Sequence, residues 1–147
     1  MTLKEQLNDA MKTAMKARDN LRLSAVRMVR AAITNREIDA RAELDDRAVV
    51  DVISTLAKQR RESIRMYREG NRLELAEKEE LELAVLLEFL PSQLGPDEID
   101  TLVRQVISDI EAHGVKDMGR VMKAVTPLTA GKADGKAVSD AVRRLLA

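Results

Sequence analysis

Residues 73–110 read LELAEKEELELAVLLEFLPSQLGPDEIDTLVRQVISDI, and they contain two helical patterns on either side of a segment bounded by prolines. Apolar residues recur with helical spacing before Pro91 and again after Pro96. A helix does not run through such a segment, because proline lacks the backbone N–H and restricts the residue before it. The segment 91–96 therefore predicts a boundary between two helical units.

The same helical periodicity extends through the rest of the chain, and no alternating strand pattern of useful length is present. The sequence predicts an all-α fold, with an N-terminal four-helix unit over residues 1–90 and a three-helix C-terminal unit over residues 97–147. Residues 91–96 are predicted to be the linker between them. Helix starts and ends are indicated by side chains that cap or stop a helix, namely Asp19, Asp117 and Asp134 at starts, and Gly70-Asn71, Pro91, Gly114 and Pro127 at ends.

The fourth helix is rich in apolar residues, so its core face has to be chosen from the spacing. The predicted inward face consists of Leu73, Ala76, Leu83, Ala84, Leu87 and Leu90, with glutamates around it. Arg60 lies on the apolar stripe of the third helix and Glu80 on that of the fourth, each about ten residues from the turn at Gly70. An antiparallel hairpin would place these two charges face to face, so we predict a buried or half-buried ion pair between Arg60 and Glu80. Alternatively, both long side chains extend to water.

Composition excludes several classes of function. The chain has 147 residues, 25 basic and 25 acidic side chains, one histidine and no cysteine, which removes disulfides and thiolate chemistry. Tyr67 and Phe89 are the two aromatic residues, so the chain lacks an aromatic platform for stacking single-stranded bases. The start is charged where a signal peptide would be apolar, and no long apolar run is present. We expect a soluble, cytoplasmic protein without a membrane partner.

No catalytic constellation stands out in the sequence. His113 precedes Gly114 at a predicted helix end, where it is expected to hydrogen-bond or cap and not to act as a base. The run from Gly131 to Lys136 resembles a phosphate loop but lacks its spacing, its hydroxyl residue and a preceding strand. The acidic run 77–82 is interpreted as a solvated helix face. We therefore predict no catalytic residue, no metal site and no cofactor.

Charge is balanced overall but not locally. Residues 1–41 and 116–147 carry an excess of basic side chains, and residues 97–115 carry an excess of acidic ones. The candidate phosphate-binding residues are Lys116, Arg120, Lys123, Lys132 and Lys136, which lie around the predicted starts of the last two helices. Helix starts attract anions, so these cations favour contact with a phosphate backbone. Each of them is equally well explained as part of a solvated turn.

Five segments together resemble the YqeY family, within the GatB/YqeY-like proteins. They are Leu56-Ala-Lys-Gln-Arg-Arg-Glu-Ser63, Tyr67 with Gly70-Asn-Arg72, Phe89-Leu-Pro-Ser-Gln-Leu94, Lys116-Asp-Met-Gly-Arg-Val-Met122 and Gly131-Lys-Ala-Asp-Gly135. The resemblance spans essentially the whole chain. Members of this family are similar to the C-terminal helical and tail regions of the B subunit of the tRNA-dependent amidotransferase.

The resemblance implies a four-helix unit, a three-helix unit and a link to tRNA, which the tail region of the related subunit contacts. It does not imply the amidation chemistry, which belongs to other domains and subunits. The leading hypothesis is a noncatalytic helical module that binds tRNA or assists tRNA-dependent amidation, with tRNA as the expected partner and a further protein partner in amidation. The alternatives are an amidotransferase-related carbon–nitrogen ligase that uses glutamine as amide donor and needs a partner, and a protein-interaction adaptor.

Overall fold

The computed structural model describes all residues, 1–147, and is built of α-helices without a strand. The α-helices are α1 (Leu3–Ala17), α2 (Asn20–Ala40), α3 (Asp46–Glu69), α4 (Leu73–Leu87), α5 (Pro96–Asp109), α6 (Met118–Thr129) and α7 (Gly135–Leu146), and a 3₁₀ helix (Val115–Asp117) precedes α6. The chain divides into two compact units, Met1–Pro91 and Ser92–Ala147. The predicted all-α fold, with four helices followed by three, is confirmed. None of the helices is both long enough and apolar enough to cross a membrane.

Local capping explains where the first three helices begin and end. Thr2 and Glu5 form a reciprocal capping box at the start of α1. Asp19 accepts the Arg22 amide at 3.1 Å and caps α2 as predicted, and Asp45 caps α3 in the same way. α3 ends at the predicted turn, although Asn71 and not Gly70 adopts the left-handed conformation there.

The core of the N-terminal unit combines one face from each of its four helices. Its fully buried side chains are Leu7, Ala25, Val26, Val29, Val49, Ile53, Ala57 and Leu86. The predicted inward face of α4 is wrong in part: Leu73 is 61% exposed and Ala84 is exposed, whereas Val85 and Leu86 are buried. α4 carries apolar residues around most of its C-terminal half, so periodicity alone does not select its inner face.

α4 also ends earlier than predicted, at Leu87 and not at Pro91. The amides of Glu88, Phe89 and Leu90 each bond to the carbonyl three residues earlier, which tightens the last turn. The α-helical hydrogen bonding ends before Pro91 because the residue before a proline disfavours the helical conformation.

The Arg60 side chain is held between α3 and α4, but not by the predicted partner. Its Nε lies 3.0 Å from Glu79 Oε2 and 3.0 Å from Glu82 Oε2, whereas Glu80 pairs with Arg68. A guanidinium nitrogen of Arg60 also contacts Met28 Sδ at 2.7 Å. The Arg60 Nε–H does not reach hydrogen-bond geometry with either carboxylate, so these contacts are ion pairs without a directed hydrogen bond. The Arg60 guanidinium therefore forms ion pairs with two largely buried carboxylates, those of Glu79 and Glu82.

Glu37 connects three parts of the N-terminal unit. Its carboxylate pairs with Lys4 of α1. It also accepts a hydrogen bond from the Leu44 amide at 2.8 Å, which attaches the loop after α2 to that helix. The hydrogen bond from Lys4, followed by that from the Leu44 amide, lowers the pKa of Glu37 below its usual 4.5. The same hydrogen bond raises the pKa of Lys4 above its usual 10.5. Glu37 therefore stabilises the fold above pH 4.5 and Lys4 does so below pH 10.5.

We expect the Glu37→Gln variant to lose part of the acid sensitivity of the N-terminal unit. In the wild type, stability should fall as pH drops below 4.5 and through the lowered pKa, because protonation of Glu37 breaks its pair with Lys4. The variant should unfold at a lower temperature than the wild type at pH 7, with the difference shrinking toward pH 3. Thermal unfolding followed by circular dichroism measures both. Glu77→Gln, at an exposed position of α4, is the control and should leave the pH profile unchanged.

The C-terminal unit has its own core. Its fully buried residues are Val103 of α5, Val121 and Val125 of α6 and Val142 of α7. α5 stops at Asp109, short of the predicted Gly114, because Glu111 adopts the left-handed conformation and the Ala112 amide bonds back to the Ile107 carbonyl. α6 continues past Pro127, which lies in its last turn, to Thr129. The Thr129 hydroxyl bonds to the Val125 carbonyl at 3.2 Å in this turn.

Most of the predicted linker 91–96 is part of the C-terminal unit. The Leu94 amide donates to the Lys132 carbonyl at 2.8 Å, and its side chain packs against the C-terminal core. The Gln93 side-chain amide donates to the Gly131 carbonyl at 2.8 Å, and Pro96 already belongs to α5. The boundary between the units therefore falls at Pro91 and Ser92.

Candidate nucleic-acid interface

The predicted phosphate-binding residues lie along the α6–α7 pair and the turns that flank it. α7 packs against α6 and also against the 3₁₀ helix that precedes α6, so it runs antiparallel to α6. The start of α7 is consequently near the end of α6, about 17 Å from the start of α6 at the usual helical rise. The starts of the two helices therefore lie apart. They form two positive ends.

Lys132 and Lys136 stand at the start of α7. Gly131 has a φ of 74°, which glycine adopts without strain, and it turns the chain after α6. The Lys132 backbone is fixed by its bonds to Thr129 and Leu94, whereas its side chain is exposed. Lys136 is also exposed, but its ammonium pairs with Asp140 at 3.1 Å. The Asp134 side chain makes no capping hydrogen bond to the first turn of α7.

Lys116 and Arg120 stand at the start of α6, and Arg120 already has structural partners. One of its guanidinium nitrogens donates to the Ile110 carbonyl at 2.6 Å, at the end of α5, and another lies 3.5 Å from Asp117. Arg120 therefore supports the α5–α6 connection by satisfying a helix-end carbonyl. Lys116 is exposed.

Asp117 was predicted to cap α6. It precedes this helix but does not cap it. Its carboxylate accepts the His113 amide at 2.7 Å and makes no capping bond to α6. The His113 amide lowers the pKa of Asp117 below its ordinary value, and the charges of Arg120 and Lys116 act in the same direction. The carboxylate is thus ionised at neutral pH. His113 is exposed and lies between α5 and the 3₁₀ helix.

Three of the five predicted cations remain available for a polyanion. Lys116, Lys123 and Lys132 are exposed and have no ion pair, whereas Arg120 and Lys136 hold carboxylates of their own unit. Arg143 and Arg144 belong to the same basic block but were not among the candidate phosphate-binding residues, and they pair with Asp140 and Asp100. They lie in the last turn of α7, where basic side chains stabilise a helix. Lysine side chains without fixed partners suit contact with phosphate oxygens, which requires charge but little directional geometry.

Comparison with protein families gives a match over nearly the whole chain. A family model described as "Yqey-like protein" matches residues 4–146. The chain belongs to the YqeY-like family. All helices and both units lie within the matched range except for the terminal residues.

Several fungal proteins are relatives of this YqeY-like protein, and each is called "Altered inheritance of mitochondria protein 41, mitochondrial". The protein from Vanderwaltozyma polyspora is 37% identical over 123 residues, covering 81% of this chain and 66% of the relative. The Kluyveromyces lactis protein is 36% identical over 109 residues (71% and 58%), and the Eremothecium gossypii protein is 31% identical over 145 residues (96% and 79%). The match thus spans less than two thirds of the first two relatives. These names state no biochemical activity.

Proposed function

We propose that this YqeY-like protein is a noncatalytic helical module that binds tRNA through its C-terminal unit or assists tRNA-dependent amidation. The observation that carries the proposal is the set of exposed lysines without ion pairs, Lys116, Lys123 and Lys132, along the α6–α7 pair. The similarity of the family to the tail region of the amidotransferase B subunit supports RNA as the polyanion. A protein partner that supplies the amidation chemistry is part of the same proposal.

The mode of recognition follows from the side chains that are present. The two positive ends lie about 17 Å apart, which suits several successive phosphates of one RNA strand better than a single bound phosphate. Lysines contact phosphate oxygens without reading bases, and the chain has no aromatic platform for splayed bases. Binding should therefore depend on the shape and backbone of the RNA more than on its sequence.

We expect the double variant Lys123→Glu/Lys132→Glu to bind tRNA at least about tenfold more weakly than the wild type near 0.1 M salt. Each lost phosphate contact should also reduce the slope of log affinity against log salt by roughly 0.7 to 0.9. Filter binding with unmodified tRNA over a salt series measures both quantities. Neither lysine belongs to the core, so the helical content should stay the same.

The matched control is Arg104→Glu/Lys78→Glu, which changes net charge equally at exposed positions on α5 and α4. It should retain most of the affinity and nearly the full salt slope. Equal weakening by both double variants would show that only overall charge matters and would reject the site. Absence of tRNA binding by the wild type at low salt would reject the function.

We propose the cytoplasm as the compartment, with whose reducing environment a chain without cysteine is compatible. The word "mitochondrial" in the names of the relatives describes those proteins, at 31–37% identity. Immunofluorescence or fractionation of the native protein from its source cells tests the proposal, and mitochondrial staining would contradict it.

A further inference from the structure

The C-terminal unit carries a groove along α5 that the RNA-binding proposal does not use. Its apolar part is formed by Leu94, Leu102, Val106 and Leu128, and its polar part by Asp97, Glu98, Thr101, Gln105 and Asp109. Leu128 is 50% exposed although it lies beside these apolar neighbours. An exposed leucine that continues an apolar groove is typical of a surface that contacts another molecule.

The charged residues that line the groove all have one sign. Three of its lining residues are acidic and none is basic. Asp97 and Glu98 lie in the first turn of α5, where carboxylates stabilise a helix, and Glu98 accepts the Gly95 amide at 3.2 Å. Stabilisation of the helix does not explain the charge of Asp109. This residue is the last of α5, where the helix dipole disfavours a negative charge. It contacts Gln105, a neutral side chain, at 2.8 Å.

From this arrangement we infer that the α5 groove binds a basic amphipathic helix of a partner protein. Asp97 and Asp109 are twelve residues apart on one helix, so their carboxylates mark two ends of a groove about 18 Å long. A helix of about three turns fits this length, with its apolar stripe against Leu102, Val106 and Leu128. Lysines or arginines near its two ends would meet the carboxylates.

RNA does not suit this groove, because its phosphates would meet three acidic lining residues and no basic lining residue. The groove and the lysines of the α6–α7 pair thus present opposite charges within one unit. The inference is independent of RNA binding, and either one can fail without the other.

The test uses the full chain and a synthetic fourteen-residue helical peptide as probe. The peptide carries leucines at helical spacing on one face and lysines beside them, and a second peptide has glutamate in place of each lysine. Titration into isotope-labelled protein at low ionic strength, followed by NMR, should give saturable shifts for Leu102, Val106 and Leu128. The glutamate peptide should give none.

Two variants test the charged and apolar contributions separately. Asp97→Asn/Asp109→Asn should weaken binding of the lysine peptide about tenfold. Leu128→Gln should weaken it by a similar factor, because it removes an exposed apolar contact and keeps helix propensity. Leu81→Gln, at a leucine of α4 that is 52% exposed, is the matched control and should leave affinity unchanged.

Several results would overturn the inference. These are the absence of saturable binding, shifts that map outside the groove, equal binding of the glutamate peptide, or unchanged affinity in both groove variants. Sedimentation of the protein alone shows whether the chain self-associates. If it does, and if the NMR signals of Leu102, Val106 and Leu128 shift with protein concentration in the absence of peptide, a second copy of this chain and not a partner helix would be the occupant.

Discussion

Replacement of Arg60 by methionine should destabilise the N-terminal unit by about 3–5 kcal/mol. Arg60 is the cation that lies 3.0 Å from both Glu79 and Glu82, and its side chain is 15% exposed. Methionine keeps much of the volume but removes the charge, which leaves two carboxylates close together, with the Glu82 side chain only 12% exposed. The cost arises mainly from these uncompensated charges. Urea unfolding of the full chain, followed by circular dichroism, measures the loss.

Arg68→Met is the matched control for this prediction. Arg68 also pairs with a glutamate of α4, Glu80, but its side chain is 59% exposed. An exposed pair contributes about 0–1 kcal/mol, so this variant should be nearly as stable as the wild type. Adding Glu79→Gln and Glu82→Leu to Arg60→Met should recover most of the loss, because no buried charge then remains unpaired. Equal small losses in the two single variants would show that Arg60 is hydrated and not part of a buried cluster.

The choice of the wrong glutamate shows the limit of counting residues from a turn. Counting outward from Gly70 places Glu80 opposite Arg60, but a step of one residue rotates a helical side chain by about 100°. Glu79 and Glu82 are three residues apart and share a face, so one guanidinium reaches both. That Arg60 needs a carboxylate of α4 could be predicted from its apolar surroundings. Which carboxylate it meets depends on how α4 is rotated about its axis.

Rotation is also the reason that the core face of α4 was predicted only in part, since Ala76 is buried as expected and Leu73 and Ala84 are not. The residues from Leu83 to Leu87 are all apolar, so every rotation buries some of them. The observed one buries Val85 and Leu86 and brings Glu82 to Arg60. Among the predicted helix starts, Asp19 caps α2 as expected, because this cap depends on neighbouring residues alone. Asp117 and Asp134 precede α6 and α7 without making a capping bond.

The candidate interface was predictable as a set of cations but not as a geometry. Whether Arg120 is available depends on where α5 ends, because its guanidinium binds the Ile110 carbonyl. The end of α5 depends in turn on Glu111, which adopts a conformation that few non-glycine residues favour. The antiparallel course of α6 and α7, which separates Lys116 from Lys132, is likewise a property of tertiary packing.

The cores of the two units are proposed to unfold separately, and a cavity in one of them tests this. Leu86 is fully buried in the N-terminal core, so Leu86→Ala should cost about 2–5 kcal/mol through lost burial and an unfilled cavity. If the cores are independent, the loss falls on Met1–Pro91 and spares Ser92–Ala147. Hydrogen exchange should then accelerate by about thirtyfold or more for the slowest amides of α1 to α4.

The slowest amides of α5 to α7 should exchange at the wild-type rate in this variant, and Val125→Ala should produce the reverse pattern. Val125 is fully buried in the C-terminal core, and its truncation removes apolar contacts there. Leu81→Ala controls for the loss of a leucine from α4, since this side chain is largely exposed and its removal leaves no cavity. Equal acceleration in both units by Leu86→Ala would mean that the chain unfolds as one cooperative body, because a local cavity then lowers the stability of every amide by the same amount.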